Sequence, residues 1–526
     1  MKKILLPALF FAAISGAKAQ GGHLSGDLMT NINFFQPDDK IIPANNPLYD
    51  KYKSGGEGWL SLRYTQNGFT GFLRVDAFQN SNLKNLTSPV TAFGIGAFNL
   101  TKDFNDLSIT AGYIYDQIGS GILFRSYEDR GLLIDNALVG LSAKYRITDN
   151  IFIKGLAGQQ KDNRANVGAL YAPVFKAINV EGDFNVGKVH LTPGAAALNR
   201  TLDQTAIDEL VSEINVAPVA NRFIPKYNMY AFTAYNTLTY ENLSWYAEAA
   251  YKTDEAIRVN GALKNSSGTT LYSTLGWARK GIAVNLTAKR TDNFVMRTSP
   301  SLTLLNGMVN WQPVVAVIRP HRLLARYTPA SQDASEMAYK ADMFIAPSDD
   351  YNININYTHT NKLTGESLYR ELYIDGEYRG FKKWILGGGV QYMEYNLQVY
   401  RTENLPYMFS ITPFAEVTYR INENHAIRTE WEYQSTKQDM GSWLYGLVEY
   451  TIAPKWSFAL SDMYNIKPTA GYDKLHYYNI FAAYTKGPHR FSLAYVKQVA
   501  GINCTGGVCR YEPAFSGVRG TITTSF

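Results

Sequence analysis

Cysteine is almost missing from this chain, with two in 526 residues, and no apolar run is long enough to cross a bilayer as a helix. No serine-, glycine- and proline-rich tract marks a linker, and no block of like charge marks a tail. Catalytic signatures are missing too. The histidines (His23, His190, His321, His359, His425, His476 and His489) are scattered, without the H-x-x-x-H or H-E-x-x-H spacing that puts two imidazoles on one metal. There is no G-x-S-x-G elbow to raise a nucleophilic serine. These absences leave no catalytic residue, no metal ligand set and no cofactor site to expect. Charge of one sign is also scarce. Lys+Arg number 51 against 45 Asp+Glu, and residues 1–19 hold three lysines and no acid, so the remainder stands at 48 to 45. A balance near +3 argues against a nucleic-acid partner.

What is present begins with an export signal over residues 1–19. Lys2 and Lys3 form the charged start, residues 4–14 the short apolar core, and Ala17-Lys18-Ala19 the small-residue cleavage pattern. Cleavage before Gln20 resembles signals common in Bacteroidota, and no cysteine stands there to take a lipid. Residues 20–526 then read as one domain. Aromatics make up 13% of the chain while the mean hydropathy is only −0.21. Such a profile fits a transmembrane β-barrel, in which every second residue faces water.

The periodicity agrees. Residues 517–526 alternate: Val518, Gly520, Ile522, Thr524 and Phe526 on one face, Arg519, Thr521, Thr523 and Ser525 on the other. This stretch resembles the closing strand of bacterial outer-membrane barrels, and the resemblance implies that Phe526 is the signal read by the barrel-insertion machinery. Working along the chain, strands at 24–34, 59–65, 69–78, 93–101, 107–115, 137–147 and 151–158 set a rhythm of short turn and long loop. It continues through 177–186, 189–198, 230–240, 243–252, 270–278 and 282–290 to 338–346, 352–359, 368–378, 384–395, 410–421, 426–434, 443–452, 456–464, 475–485 and 491–497. The expected fold is therefore all-β: a transmembrane antiparallel barrel of about 24 strands, with short periplasmic turns and long outer loops. No fixed-length motif recurs as in a propeller or solenoid.

Alternation also separates the faces. A charge facing lipid at the midplane costs about 2–4 kcal/mol, so the charged face is the lumen. On it we place Arg63, Arg74, Asp76, Lys144, Glu181, Asp183, Glu371, Asp375, Arg428, Glu430 and Glu432, each first of all a member of a cross-strand ion pair. Aromatics at strand ends (Trp59, Tyr64, Tyr145, Tyr240, Trp277, Tyr378, Trp384, Tyr419, Trp443, Tyr450 and Trp456) are expected to form the interface girdles.

A barrel of this size has a backbone diameter of roughly 45–50 Å, too wide to stand open. The first strand follows the cleavage site at once, so its own loops or a partner are expected to fill it. Three loops are long enough: 116–136, 199–228 with a helix at 205–214, and 291–337 with apolar runs at 302–305 and 314–318. The run 119–138 (GSGILFRSYEDRGLLIDNAL), together with 242–251 (NLSWYAEAAY), resembles a family of Bacteroidota outer-membrane proteins of unknown function. The resemblance implies a fold and a location, not an activity. Within that loop Arg125, Tyr127, Glu128, Asp129, Arg130, Asp135 and Asn136 are the candidate plug or partner contacts. Cys504 and Cys509, five residues apart in one outer loop of an exported chain, are expected to form a disulfide. The functional expectation is a non-enzymatic occluded barrel serving as a subunit of an outer-membrane assembly or secretion complex. A stand-alone channel for small solutes is the alternative, and an outer-membrane enzyme a minor one. Expected partners are outer-membrane lipid and lipopolysaccharide, the barrel-insertion machinery and an envelope protein.

Overall fold

Alternating apolar and polar residues cannot bury both faces in a soluble core, and here they close on themselves instead. The computed structural model describes residues 21–526 except 85–87, 164–166, 260, 303–305, 330–334, 402–403, 405–406 and 506–507, together with the side chains of 259 and 502–510. The expected signal at 1–19 lies outside the described residues.

Twenty-four strands form the wall. The first eight are β1 (His23–Phe35), β2 (Ser54–Gln66), β3 (Phe69–Ser81), β4 (Val90–Asp103), β5 (Leu107–Ile114), β6 (Leu138–Thr148), β7 (Ile151–Lys161) and β8 (Leu170–Gly182). Next come β9 (Val189–Thr201), β10 (Asn228–Tyr240), β11 (Leu243–Val259), β12 (Ala262–Arg279), β13 (Ile282–Asp292), β14 (Glu336–Ser348), β15 (Tyr351–Lys362) and β16 (Ser367–Tyr378). The last are β17 (Trp384–Asn396), β18 (Tyr407–Arg420), β19 (His425–Gln434), β20 (Ser442–Ile452), β21 (Trp456–Lys467), β22 (His476–Lys486), β23 (His489–Gln498) and β24 (Phe515–Ser525). Each pairs antiparallel with its neighbours in the chain, and β1 pairs with both β2 and β24, from Asp27 opposite Ser525 to Phe35 opposite Gly517. The sheet thus has no free edge, the condition for placing backbone in lipid.

Connections on one side are two to six residues long. At the first, Asn67 and Gly68 both take positive φ, 50° and 74°, the conformation a two-residue hairpin needs to follow the strand twist. The other side carries every long loop, but not every connection there is long. The expected loop 253–269 is instead a continuation of β11 and β12 beyond the membrane, paired as far as Val259 opposite Ala262 after a register shift past Lys252.

The outward face is apolar. Phe93, Phe98, Leu100, Leu141, Leu271 and Leu493 are among its exposed side chains, and their exposure is tolerable only in lipid. At the short-turn rim Trp384 lies 4.4 Å from Tyr419 and Trp456 4.6 Å from Tyr484, ring centre to ring centre, where amphipathic rings sit between acyl chains and water. Two expected girdle residues are not there. Trp59 and Trp443 point inward and are 2% and 1% exposed, because each falls on the interior parity of its strand. The protein is an outer-membrane β-barrel.

In the outer loops, Gln204–Val216 forms the helix α1, whose Ala206, Ile207, Leu210 and Ile214 are buried at the spacing of one helical stripe. Gly501–Thr505 and Val508–Glu512 form a small ladder that sets Cys504 opposite Cys509; their side chains lie outside the described residues. Directly opposed Cα atoms stand about 4.5–5.5 Å apart, inside the range of about 4.4–6.8 Å that a disulfide spans. Exported protein should therefore take up no alkylating agent until it is reduced, and two thiols labelled beforehand, seen by intact mass, would end the pairing.

Candidate functional site

The interior of the barrel holds most of the buried charge, and two loops enter it. The loop after β5 forms two short ladders, Gln117–Ile118 with Phe124–Arg125 and Glu128–Asp129 with Ile134–Asp135. The loop after β13 meets it backbone to backbone: Arg125 N–H donates to the Val309 carbonyl at 3.0 Å, and Trp311 N–H to the Gly121 carbonyl at 2.9 Å. Asn310 joins them from within, its Nδ2 donating to the Ile122 carbonyl at 3.0 Å while its Oδ1 accepts from Met296 N–H at 3.0 Å.

Apolar packing holds this knot to the wall. Ile118, Ile122, Leu123 and Phe124 of the first loop and Phe294, Met296 and Val309 of the second bury against Leu138, Leu156, Phe175, Leu198 and Met229 of β6–β10. These wall residues lie on the interior parity, where polar side chains were expected. Phe175 and Ala177 continue the face of Asn179 and Glu181 on β8, so that one strand face is polar near the short turns and apolar beside the two loops.

Ion pairs fix the rest. Arg74, 2% exposed, reaches Asp76 at 2.7 Å, Glu128 at 2.7 Å and Asp135 at 2.6 Å. Lys161 also binds Asp135 at 2.6 Å. Burial alone raises the Asp135 carboxyl, but Lys161 and Arg74 outweigh it and hold the group below its usual range. Arg130 joins Glu128 at 2.9 Å and Asp27 at 3.3 Å. Asp129 accepts from Leu132 N–H, and Asn136 ties Tyr127 N–H to the Met308 carbonyl. Burial pushes the Tyr127 hydroxyl up to about 12, so it stays protonated. The seven loop residues singled out in the sequence are therefore gathered inside, and Arg74 and Asp76 of the wall are with them.

The second loop is clamped further round. Arg319 forks onto Glu371 (2.9 Å) and Asn356 (2.6 Å), with its guanidinium 3.8 Å above the Tyr373 ring. Glu432 accepts the backbone N–H groups of Arg322 and Leu323, each at 2.8 Å. Arg428 binds Glu416, Glu430 and Glu449. Beside it His321, whose imidazole is kept neutral by burial against the pull of Glu430, groups with Glu416 and Glu430 so that their ligand atoms lie within 4.8 Å. That is metal-like spacing, but the Arg428 guanidinium already supplies the cation between the two carboxylates.

The remaining expected lumen residues are placed less deeply. Glu181 accepts from Tyr235 and Asn179, and Asp375 from Asn354. Arg63 and Lys144 are exposed near the short turns. Asp183 keeps the parity of Glu181, since the pairing with β9 holds one register from Glu181 opposite Gly194 to Phe184 opposite Leu191, but its exposed carboxylate sits at the rim, 3.7 Å from His190. The Asp183 backbone N–H extends the pairing with β7 by one step, donating to the Asn150 carbonyl at 2.9 Å. Phe526 exchanges backbone hydrogen bonds with Gly26 at 2.9 and 3.0 Å, sealing the joint between β24 and β1.

Sequence reasoning overlooked several anchors. Arg200 pairs with Glu255 (2.7 Å) beside Lys252, and Lys289 joins Glu336 and the Pro313 carbonyl (2.7 Å). All lie on interior parity at the loop-proximal ends of strands, and that position is the signal that marked them.

The family model described as "Family of unknown function (DUF6029)" matches residues 1–526. No curated protein matches the sequence. Among solved structures the chain is similar to the P pilus usher (PapC) translocation pore, at 10% identity over 96% of this chain and 99% of that one, with a TM-score of 0.46. The siderophore receptor PirA from Pseudomonas aeruginosa aligns at 10% identity, 96% and 80% coverage and a TM-score of 0.43. OpdK with vanillate, from the same organism, aligns at 11%, 83% and 98%, with a TM-score of 0.36.

Proposed function

The chain belongs to the DUF6029 family of unknown function along its whole length, and from its geometry we propose a non-catalytic, self-plugged outer-membrane barrel that serves as a subunit of a larger envelope assembly. The observation that carries this reading is the double anchoring of two loops to the inside wall by buried ion pairs, Arg74 with Asp135 and Arg319 with Glu371. A solute pore has no need of charges committed so deeply to its own loops. Support for a partner comes from the outer side, where Val216, Val219 and Ile224 beside α1 are 85%, 79% and 86% exposed. Apolar groups so open to water are a liability until something covers them. Cleavage before Gln20 fits a Bacteroidota envelope, and lipid, lipopolysaccharide and the insertion machinery are the remaining partners. Purification of the tagged protein in mild detergent, followed by mass spectrometry, tests the proposal. A stoichiometric envelope protein should co-purify, and a companion-free monomer that passes solutes in liposomes would replace it with the channel reading.

That second reading has one observation in its favour, a polar cavity of about 530 Å³ beneath the first loop, bordered by Asp27, Arg63 and Arg125. Phe526 is assigned the insertion signal. Its deletion should leave less protein in the outer membrane and more in the periplasm, by fractionation and blotting, and an unchanged distribution would remove the assignment.

A further inference from the structure

The joint between β4 and β5 is the shortest in the wall. Only 99–103 of β4 find partners, at 108–112 of β5, although β4 pairs with β3 up to Val90. The next shortest joint, β18 with β19, pairs 414–420. The cause is local. Gly96 forms a bulge in β4, and β5 turns inward at Gly112, whose φ is +111° and whose Cα comes so close to β4 that a Cβ would lie 2.5 Å from the Phe98 carbonyl. Beyond that point two side chains stand in for the ladder: Asn99 Nδ2 donates to the Tyr113 carbonyl at 3.0 Å, and Lys161 Nζ to the Gly96 carbonyl at 2.7 Å.

Two cavities back onto this joint. One, of about 540 Å³, opens on the bilayer face between Leu62, Leu73, Phe98 and Leu100, where Gly71 leaves a gap. The other is the polar cavity of about 530 Å³ inside. Phe72 and Asn99 border both. The acids of the inner cavity are already matched: Asp27 with Arg130, Asp116 with Lys154 at 2.7 Å, and Glu128 with Arg74. Among the described residues Arg63 and Arg125 have no carboxylate partner, and Arg125 is held between the rings of Tyr127 (4.4 Å) and Trp311 (4.7 Å). A guanidinium fixed by stacking, with its edge unpaired, suits a carboxylate or phosphate.

We infer that the β4–β5 joint is a lateral portal holding a single-chain amphiphile with an anionic head, its tail in the bilayer-facing groove and its head against Arg125. The wall at that point is closed by the Asn99 amide rather than by backbone pairing, so tail and head meet across a side chain that can swing aside. The portal is independent of whether the barrel serves as a subunit or a channel.

Native mass spectrometry of the full-length protein with palmitate tests this from both sides of the wall. A Cβ at Gly71 meets nothing within 4 Å, so Gly71→Phe fills the groove without disturbing the strand, and Gly71→Ala serves as the control that leaves it open. One palmitate should bind the unaltered protein and Gly71→Ala. Gly71→Phe and Arg125→Gln should each weaken it by about tenfold, the size expected for one charge-assisted hydrogen bond in the second case. Hexadecanol, with the same tail length and an uncharged head, should compete poorly. Loss in Gly71→Phe alone would mean an ordinary groove lipid, and loss in Arg125→Gln alone a lumenal anion. Either result, or equal competition by the two heads, or no stoichiometric palmitate at all, overturns the portal.

Discussion

Replacing Arg74 by alanine should release the first loop from the wall. The guanidinium is buried among Asp76, Glu128 and Asp135, and its removal takes away the one cation that touches all three carboxylates, leaving Lys161 on Asp135 and Arg130 on Glu128. Breaking a buried ion pair from one side costs about 3–5 kcal/mol, enough to move a loop from docked to open. Limited proteolysis should then cut within 116–136, where the unaltered protein resists. Arg74→Lys should fall between, since an ammonium cannot fork onto two carboxylates as a guanidinium does. Equal resistance in Arg74→Ala and the unaltered protein would show that the apolar knot alone holds the loop. The same network fixes the acid response. Asp135 titrates below its ordinary value in the folded protein, so its contribution is present above the usual carboxyl pKa and is lost only as pH falls through the lower, folded one. Protection of the loop should stay flat from about pH 8 to about pH 5 and decline only in stronger acid. A decline near neutrality would point to a different group.

Deleting 302–318 should give the second large effect. This stretch contributes Val309 and Asn310 to the knot and ends one residue before Arg319. Without it the first loop loses its backbone partners at Arg125 and Gly121. Liposomes carrying the deletion should swell in solutes too large for an ordinary porin, whereas the intact protein should not admit them. Unchanged permeability would mean that the first loop and the remaining segments fill the lumen unaided.

The number of strands, the parity of turns and loops and the closing strand were legible because period-2 alternation and turn residues are local signals. Trp59 was misread from the same signal. Its place at a strand end suggested a girdle, but it shares the face of Glu57 and Ser61, and its ring packs edge-on against Phe78 at 6.0 Å. The outer half of hairpin β11–β12 lies beyond the expected strands 243–252 and 270–278 because the register shift past Lys252 breaks the period-2 alternation there. The contacts that hold the plug were beyond reach for another reason. Arg74 and Asp135 are 61 positions apart, and Arg322 and Glu432 are 110 apart, so no local pattern joins them. The loop 116–136 announced itself by its density of Arg, Asp, Glu and Tyr, but which wall charge met which loop charge depended on the closure of the barrel. The short β4–β5 joint left only a faint trace in Gly94, Gly96 and Gly112, which read equally well as ordinary strand glycines.

Single-channel recording of the intact protein in planar bilayers tests the central claim most directly. A barrel filled by its own two loops should stay shut or pass only small, brief currents, and Arg74→Ala or deletion of 302–318 should open it. A large, steady conductance from the intact protein would contradict the account, since it would mean that the loops do not close the lumen.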